Sequence, residues 1–141
     1  MSSDGSDRDA SMSPRKGVRI LSICDDERIR FSRELVLMHE GYEVESVSSK
    51  TPLDVCRVRS FHIAVLCHSL APYRASQIGH MLRRYNPAIG VVRVHSLRTQ
   101  MDGFYDVDCE VLPGPDAMLE GIRALAMRLG VPKSRGERKQ A

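Results

Sequence analysis

Residues 19–47, RILSICDDERIRFSRELVLMHEGYEVESV, decide how the rest of the chain is read. The run from Val18 to Cys24 is almost continuously apolar, as a strand covered on both faces should be. It stops at two carboxylates, Asp25 and Asp26, which suit a helix start because they accept free backbone N–H groups and match the helix dipole. DDERIRFSRELVLMHE then reads as a helix, and Gly41 is placed to close it. After the glycine, YEVESV (42–47) alternates as a strand does.

The same alternation continues outward. A short helix is expected from about Thr51 to Val58, and HIAVLCH (62–68) is a second nearly continuous apolar strand. The next helix begins near Pro72, carries Ile78, Leu82 and Tyr85 on one face, and ends before Pro87. IGVVRVH (89–95) and CEVL (109–112) read as the fourth and fifth strands. A last helix from Pro115 to Leu129 puts Met118, Ile122, Leu125 and Leu129 on one stripe, with Gly130 as its stop. Strands alternating with helices at this spacing predict an α/β fold built of right-handed crossovers around a parallel sheet. Ligands of such sheets bind beyond the carboxyl ends of the strands. The residues to inspect are therefore Cys24, Asp25 and Asp26; Cys67 and His68; His95 and Ser96; Pro113 and Gly114.

Composition narrows the function classes. The 141 residues are 42% hydrophobic and 28% charged, the balance of an ordinary globule with one core. No apolar run approaches the roughly 20 residues of a membrane span, and residues 1–16 lack the apolar core of a signal peptide. Cys24, Cys56, Cys67 and Cys109 are widely spaced with no CxxC pair, so reduced thiols in a cytoplasm are expected. Lys133, Arg135, Arg138 and Lys139 against Glu137 carry the whole net charge of +3. That basic tail has no aromatic residue to stack on a base, and it reads as a solvated end rather than a nucleic-acid patch. No Walker-type loop or GxGxxG occurs, which argues against a nucleotide site. The expected organisation is a disordered tail over 1–16, one domain over 17–130 and a basic disordered tail over 131–141.

Strand, acidic pair, helix and then Gly-Tyr-Glu-Val resemble the opening of bacterial response-regulator receiver domains, the CheY-like family. The resemblance runs from about Val18 to Leu129. It implies a doubly wound five-stranded parallel sheet, flavodoxin-like, in the order 2-1-3-4-5. It also implies that an acidic pair holds Mg²⁺ and that an Asp ending strand three takes a phosphoryl group from a sensor kinase. A hydroxyl ending strand four and a Lys before Pro after strand five respond to that phosphate. Mg²⁺ wants hard oxygen ligands and neutralises phosphoryl charge, and the Asp is the nucleophile that forms a mixed anhydride.

Carried onto this chain, the pattern keeps only Asp25 and Asp26. The acceptor position falls on Cys67, the hydroxyl position on His95 with Ser96 beside it, and the lysine position on Gly114. Residues 97–107 leave room for only a shortened fourth helix. The resemblance therefore implies a degenerate, stand-alone pseudo-receiver: a cytoplasmic protein-interaction module of two-component signalling, not an enzyme. It would have no cofactor beyond weak Mg²⁺ at Asp25 and Asp26. Its partner would be a sensor kinase, another regulator or a second copy, with neither membrane nor nucleic acid. Leu97, Met101, Phe104 and Tyr105 are the expected contact surface, with Phe104→Ala and Tyr105→Ala weakening partner binding without unfolding the domain. Two alternatives stay open. One is a single-domain regulator that binds Mg²⁺ and is phosphorylated at an unorthodox residue. The other is a thiol or metal site, redox or enzymatic, built on Cys67 and His95 from neighbouring strand tips.

Overall fold

The computed structural model describes residues 17–95, 103–110 and 114–130. The first strand, β1 (Arg19–Ile23), leads through Asp25 and Asp26 into helix α1 (Glu27–His39). Gly41, at φ 96°, ends that helix as the sequence suggested. Its N–H bonds the Met38 carbonyl at 2.9 Å and the Tyr42 N–H bonds the Leu37 carbonyl at 3.3 Å, the paired bonds of a Schellman turn that needs a left-handed residue. Then come β2 (Glu43–Val47), the single turn α2 (Val55–Val58), β3 (Ile63–Leu66), α3 (Pro72–Tyr85), β4 (Gly90–His95), β5 (Val107–Glu110) and α4 (Asp116–Arg128).

Among the elements that start away from the expected place, two have a visible cause. The second helix starts at Val55, not Thr51, because Asp54 caps it by accepting the Cys56 N–H at 2.8 Å. The fifth strand starts two residues before the CEVL run. Asp106 sets its register by donating its N–H to the Val91 carbonyl and accepting the Val91 N–H on its carboxylate, both at 2.8 Å. Of the 97–107 stretch expected to hold a shortened fourth helix, residues 103–106 are not helical and Val107 opens β5, while 97–102, like 111–112 at the end of the CEVL run, lie outside the described residues.

All strand pairs are parallel, in the order β2-β1-β3-β4-β5. One face packs Ile20, Ile63, Val65, Val92 and Val94 under α1 and α4. The other packs Leu21, Ile23, Ala64, Leu66 and Val91 under α2 and α3. Covering both faces explains why β3 and β4 have no polar alternation. The sheet is doubly wound, so its functional edge is the row of carboxyl-terminal strand tips.

At the opposite edge, His62 accepts the Arg19 N–H on Nδ1 at 2.9 Å. Burial, and then the Arg19 charge, hold this imidazole below its usual pKa, against a smaller opposing effect of Glu43. Only the neutral ring can accept that bond. The unfolded chain therefore binds the proton first, and His62's contribution is full above about pH 6.5 and is lost as pH falls through its depressed folded value. Urea midpoints should drop between about pH 7 and pH 5. His62→Asn, which offers an amide oxygen to the same N–H, should drop less; an equal drop would assign the acid sensitivity elsewhere.

Candidate functional site at the strand tips

Each carboxylate of the acidic pair has a structural duty. Asp26 caps α1, its Oδ1 accepting the N–H groups of Arg28 at 3.0 Å and Ile29 at 3.2 Å. Asp25 reaches across to the loop after β2, where Ser49 donates its N–H to Oδ1 at 2.7 Å and its hydroxyl to Oδ2 at 2.8 Å. Ser49 in turn is held from α3, by Arg74 Nη2 on its carbonyl at 2.7 Å.

Cys67 follows directly on β3, its N–H bonded to the Ile23 carbonyl at 3.0 Å. Its sulfur sits 2.6 Å from that of Cys24, because the register pairs Ile23 with Leu66 and so sets the next two residues side by side. Both are buried. Ser69 completes the cluster. Its Oγ accepts the N–H groups of Asp25 at 3.0 Å and Asp26 at 3.3 Å and lies 3.3 Å from each sulfur. The Cys24 hydrogen bond, followed by the Arg33 charge and Ser69, pushes the Cys67 thiol down against burial; Cys24 is pushed up by the same bond and by burial. Cys67 is thus the more acidic sulfur, but one without access. Burial and Asp108 push Cys109 up to about 11.

The proposed Cys67–His95 pairing does not form. Leu66 is in register with Arg93, so Cys67 falls beside Val94, on the face shared with Val65. Alternation turns His95 to the opposite face, where its Nε2 lies 3.4 Å from the Asp108 carboxylate. Among the described residues no group of three or more His, Cys, Asp or Glu is arranged to hold a metal ion, so Asp25, Asp26, Cys67 and His95 do not converge. His68, one of the strand-tip residues, keeps its Nδ1 3.8 Å from the Cys67 sulfur. In native protein, iodoacetamide at neutral pH should label exposed Cys56 well before Cys67. Fast labelling of Cys67 would instead revive the activated-thiol reading.

The remaining expected positions separate. Ser96, Leu97 and Met101 lie outside the described residues. Gly114 is described, and a Cβ built there meets nothing within 4 Å, so packing does not require a glycine. Phe104 was expected as an exposed contact and is instead 3% exposed within the core under α3. Tyr105 is half-buried, edge-on to Phe104 with centroids 5.2 Å apart. Sequence reasoning placed Cys24 at a strand tip but not against Cys67, and it missed Ser69; a serine two residues beyond a strand tip carries no distinguishing signal.

With this geometry, known structures can be compared. A response regulator receiver domain protein (CheY-like) from Methanospirillum hungatei superposes with a TM-score of 0.67 at 20% identity, covering 80% of this chain and 96% of that one. The fold is that of a receiver domain. The response regulator TrrA from Thermotoga maritima, solved with Mg²⁺-BeF, gives 0.66 at 16% identity over 77% of this chain and 98% of its own. A complex of histidine kinase ThkA with TrrA gives 0.59 at 15% identity, covering 77% and 97%. No protein-family model matches the sequence, and no curated protein matches it.

The receiver fold raises the question of Mg²⁺, which needs several hard oxygen ligands in near-octahedral array. Both oxygens of Asp25 and Oδ1 of Asp26 already accept hydrogen bonds, and the residue ending β3 is a thiol held by another thiol. The acidic pair still supplies hard oxygens, but the β3 tip adds sulfur where a further oxygen would stand, so the donor set fits Mg²⁺ only poorly.

Proposed function

We propose that this chain is a receiver-fold signalling module that binds a protein partner and does not run the phosphoryl switch. The observation that carries the reading is the Cys24–Cys67 contact, which fills the end of β3 with two buried sulfurs where phosphoryl transfer would need a carboxylate. The acidic pair serves as a helix cap and a loop tie. The partner is a sensor kinase, another regulator or a second copy of the chain, since TrrA is known in complex with a histidine kinase. Buried Phe104 does not suit the role of contact anchor. The exposed row of Phe31, Leu35 and Met38 along α1 suits it better. No helix among the described residues is long and apolar enough to cross a membrane, and a cytoplasmic, non-enzymatic role accords with this reading.

The test is intact mass after incubation with Mg²⁺ and acetyl phosphate, with Asp25→Asn as control. Folded protein should gain no phosphoryl adduct. An adduct that disappears in Asp25→Asn would overturn the proposal in favour of a regulator phosphorylated at an unorthodox residue.

A further inference from the structure

Between α1 and the amino end of α4 lies a cavity of about 480 Å³, within the range of small-molecule sites. Asp25, Asp26 and Cys67 do not line it. Its polar wall includes Arg28, Ser32, Arg33, His68 and Glu110, and its apolar wall includes Val94 and Met118. Arg33 is the residue that calls for explanation. It lies one turn before Leu37 on the inward stripe of α1 and is only 9% exposed. Its Nη1 is buried and makes no hydrogen bond among the described residues. A buried guanidinium with an idle donor is costly unless something pairs with it. Two more features of the cavity favour negative charge. Arg28 and Arg33 together outnumber the one carboxylate, Glu110. In addition, α4 starts at Pro115 with no side-chain cap, leaving the first-turn N–H groups and the positive end of the helix dipole near the cavity; Asp116 in that turn is exposed and is not part of the wall.

We propose that this cavity binds a small organic anion, its phosphate or carboxylate head on Arg33 and its apolar body against Val94 and Met118. A guanidinium fork recognises either oxyanion in the same bidentate geometry. The volume exceeds what a bare inorganic ion fills, which is why the ligand has a body as well as a head. This binding does not depend on how the acidic pair is used, and it stands or falls separately from the signalling role.

The test is titration of the full ¹⁵N-labelled chain with phenyl phosphate and, separately, benzoate, at ionic strength held constant with chloride. Saturable shifts should concentrate at Arg28, Arg33, His68 and Gly114. The probe that binds roughly ten-fold tighter names the head group. Arg33→Met keeps length and removes the fork, and should weaken the better probe by at least roughly ten-fold. Gly114→Leu should weaken it as well without unfolding the domain, because a side chain there has open space, and it keeps the question answerable if Arg33→Met does not fold. Linear, unsaturated shifts with both probes, or binding that neither variant changes, would overturn the proposal.

Discussion

Phe104→Ala should destabilise the domain by about 3–5 kcal/mol. The ring is 3% exposed and lies flush against α3 at Gly79, where a Cβ would come within 2.3 Å of Phe104 Cδ1. It also packs edge-on to Tyr105 at 5.2 Å and beside the His80 ring at 6.1 Å. Removing it opens a space that the rigid helix and strands around it cannot close. The converse experiment approaches the same contact from α3. In an open helix, Gly→Ala gains about 1 kcal/mol from propensity; here the added methyl meets the ring, and overpacking of about 1–3 kcal/mol wins. Combined in one chain, the two substitutions should cost less than their sum, because each removes the other's clash or void. Urea unfolding of the three variants checks all of this. Near-wild-type stability of Phe104→Ala would instead return the ring to the surface, as a docking anchor.

Asp108→Ala should cost about 1.5–3 kcal/mol, although Asp108 lies exposed on an edge strand. Its carboxylate faces two buried basic side chains of β4, Arg93 at 3.4 Å and His95 Nε2 at 3.4 Å. The Arg93 guanidinium also lies 5.8 Å over the Tyr105 ring. The alanine variant leaves these groups in place and removes the carboxylate that both of them face. Asp108→Asn should recover part of the loss, since the amide oxygen still accepts a hydrogen bond while the charge is gone. The comparison of Ala with Asn in thermal unfolding separates the two contributions. A cost below about 1 kcal/mol for Asp108→Ala would mark an ordinary exposed ion pair. In receiver-fold terms, the strand-four tip places His95 against a carboxylate, at the position where the resemblance implies that the family carries a phosphate-sensing hydroxyl.

The fold was legible because its signals are local. Continuous apolar runs marked β1, β3 and β4, and Gly41 marked the end of α1. The site was legible only where it follows from position along the chain. Asp25, Asp26 and Cys67 stand at strand tips wherever the strands pair. Which side chains meet depends on register between strands distant in sequence, and one residue of register reverses the face. That is why Cys67 meets Cys24 and not His95. Phe104 lies in a stretch without periodicity, where an aromatic residue reads equally well as core or surface. Arg33 could have been found: Ile29, Arg33, Val36 and Leu37 form one helical stripe, and a charge on an inward stripe signals a buried cation.

The tip of the sheet is laced together. Asp25 holds Ser49, Arg74 holds Ser49 from α3, Ser69 holds the acidic loop, and Arg30 reaches the Cys24 carbonyl at 3.3 Å. Under the proposed function, ties at this many points resist the rearrangement by which a phosphoryl switch reports on or off. The message is then carried by abundance, so the cell would set the signal by how many copies it makes and keeps, and by which competitor already occupies the partner.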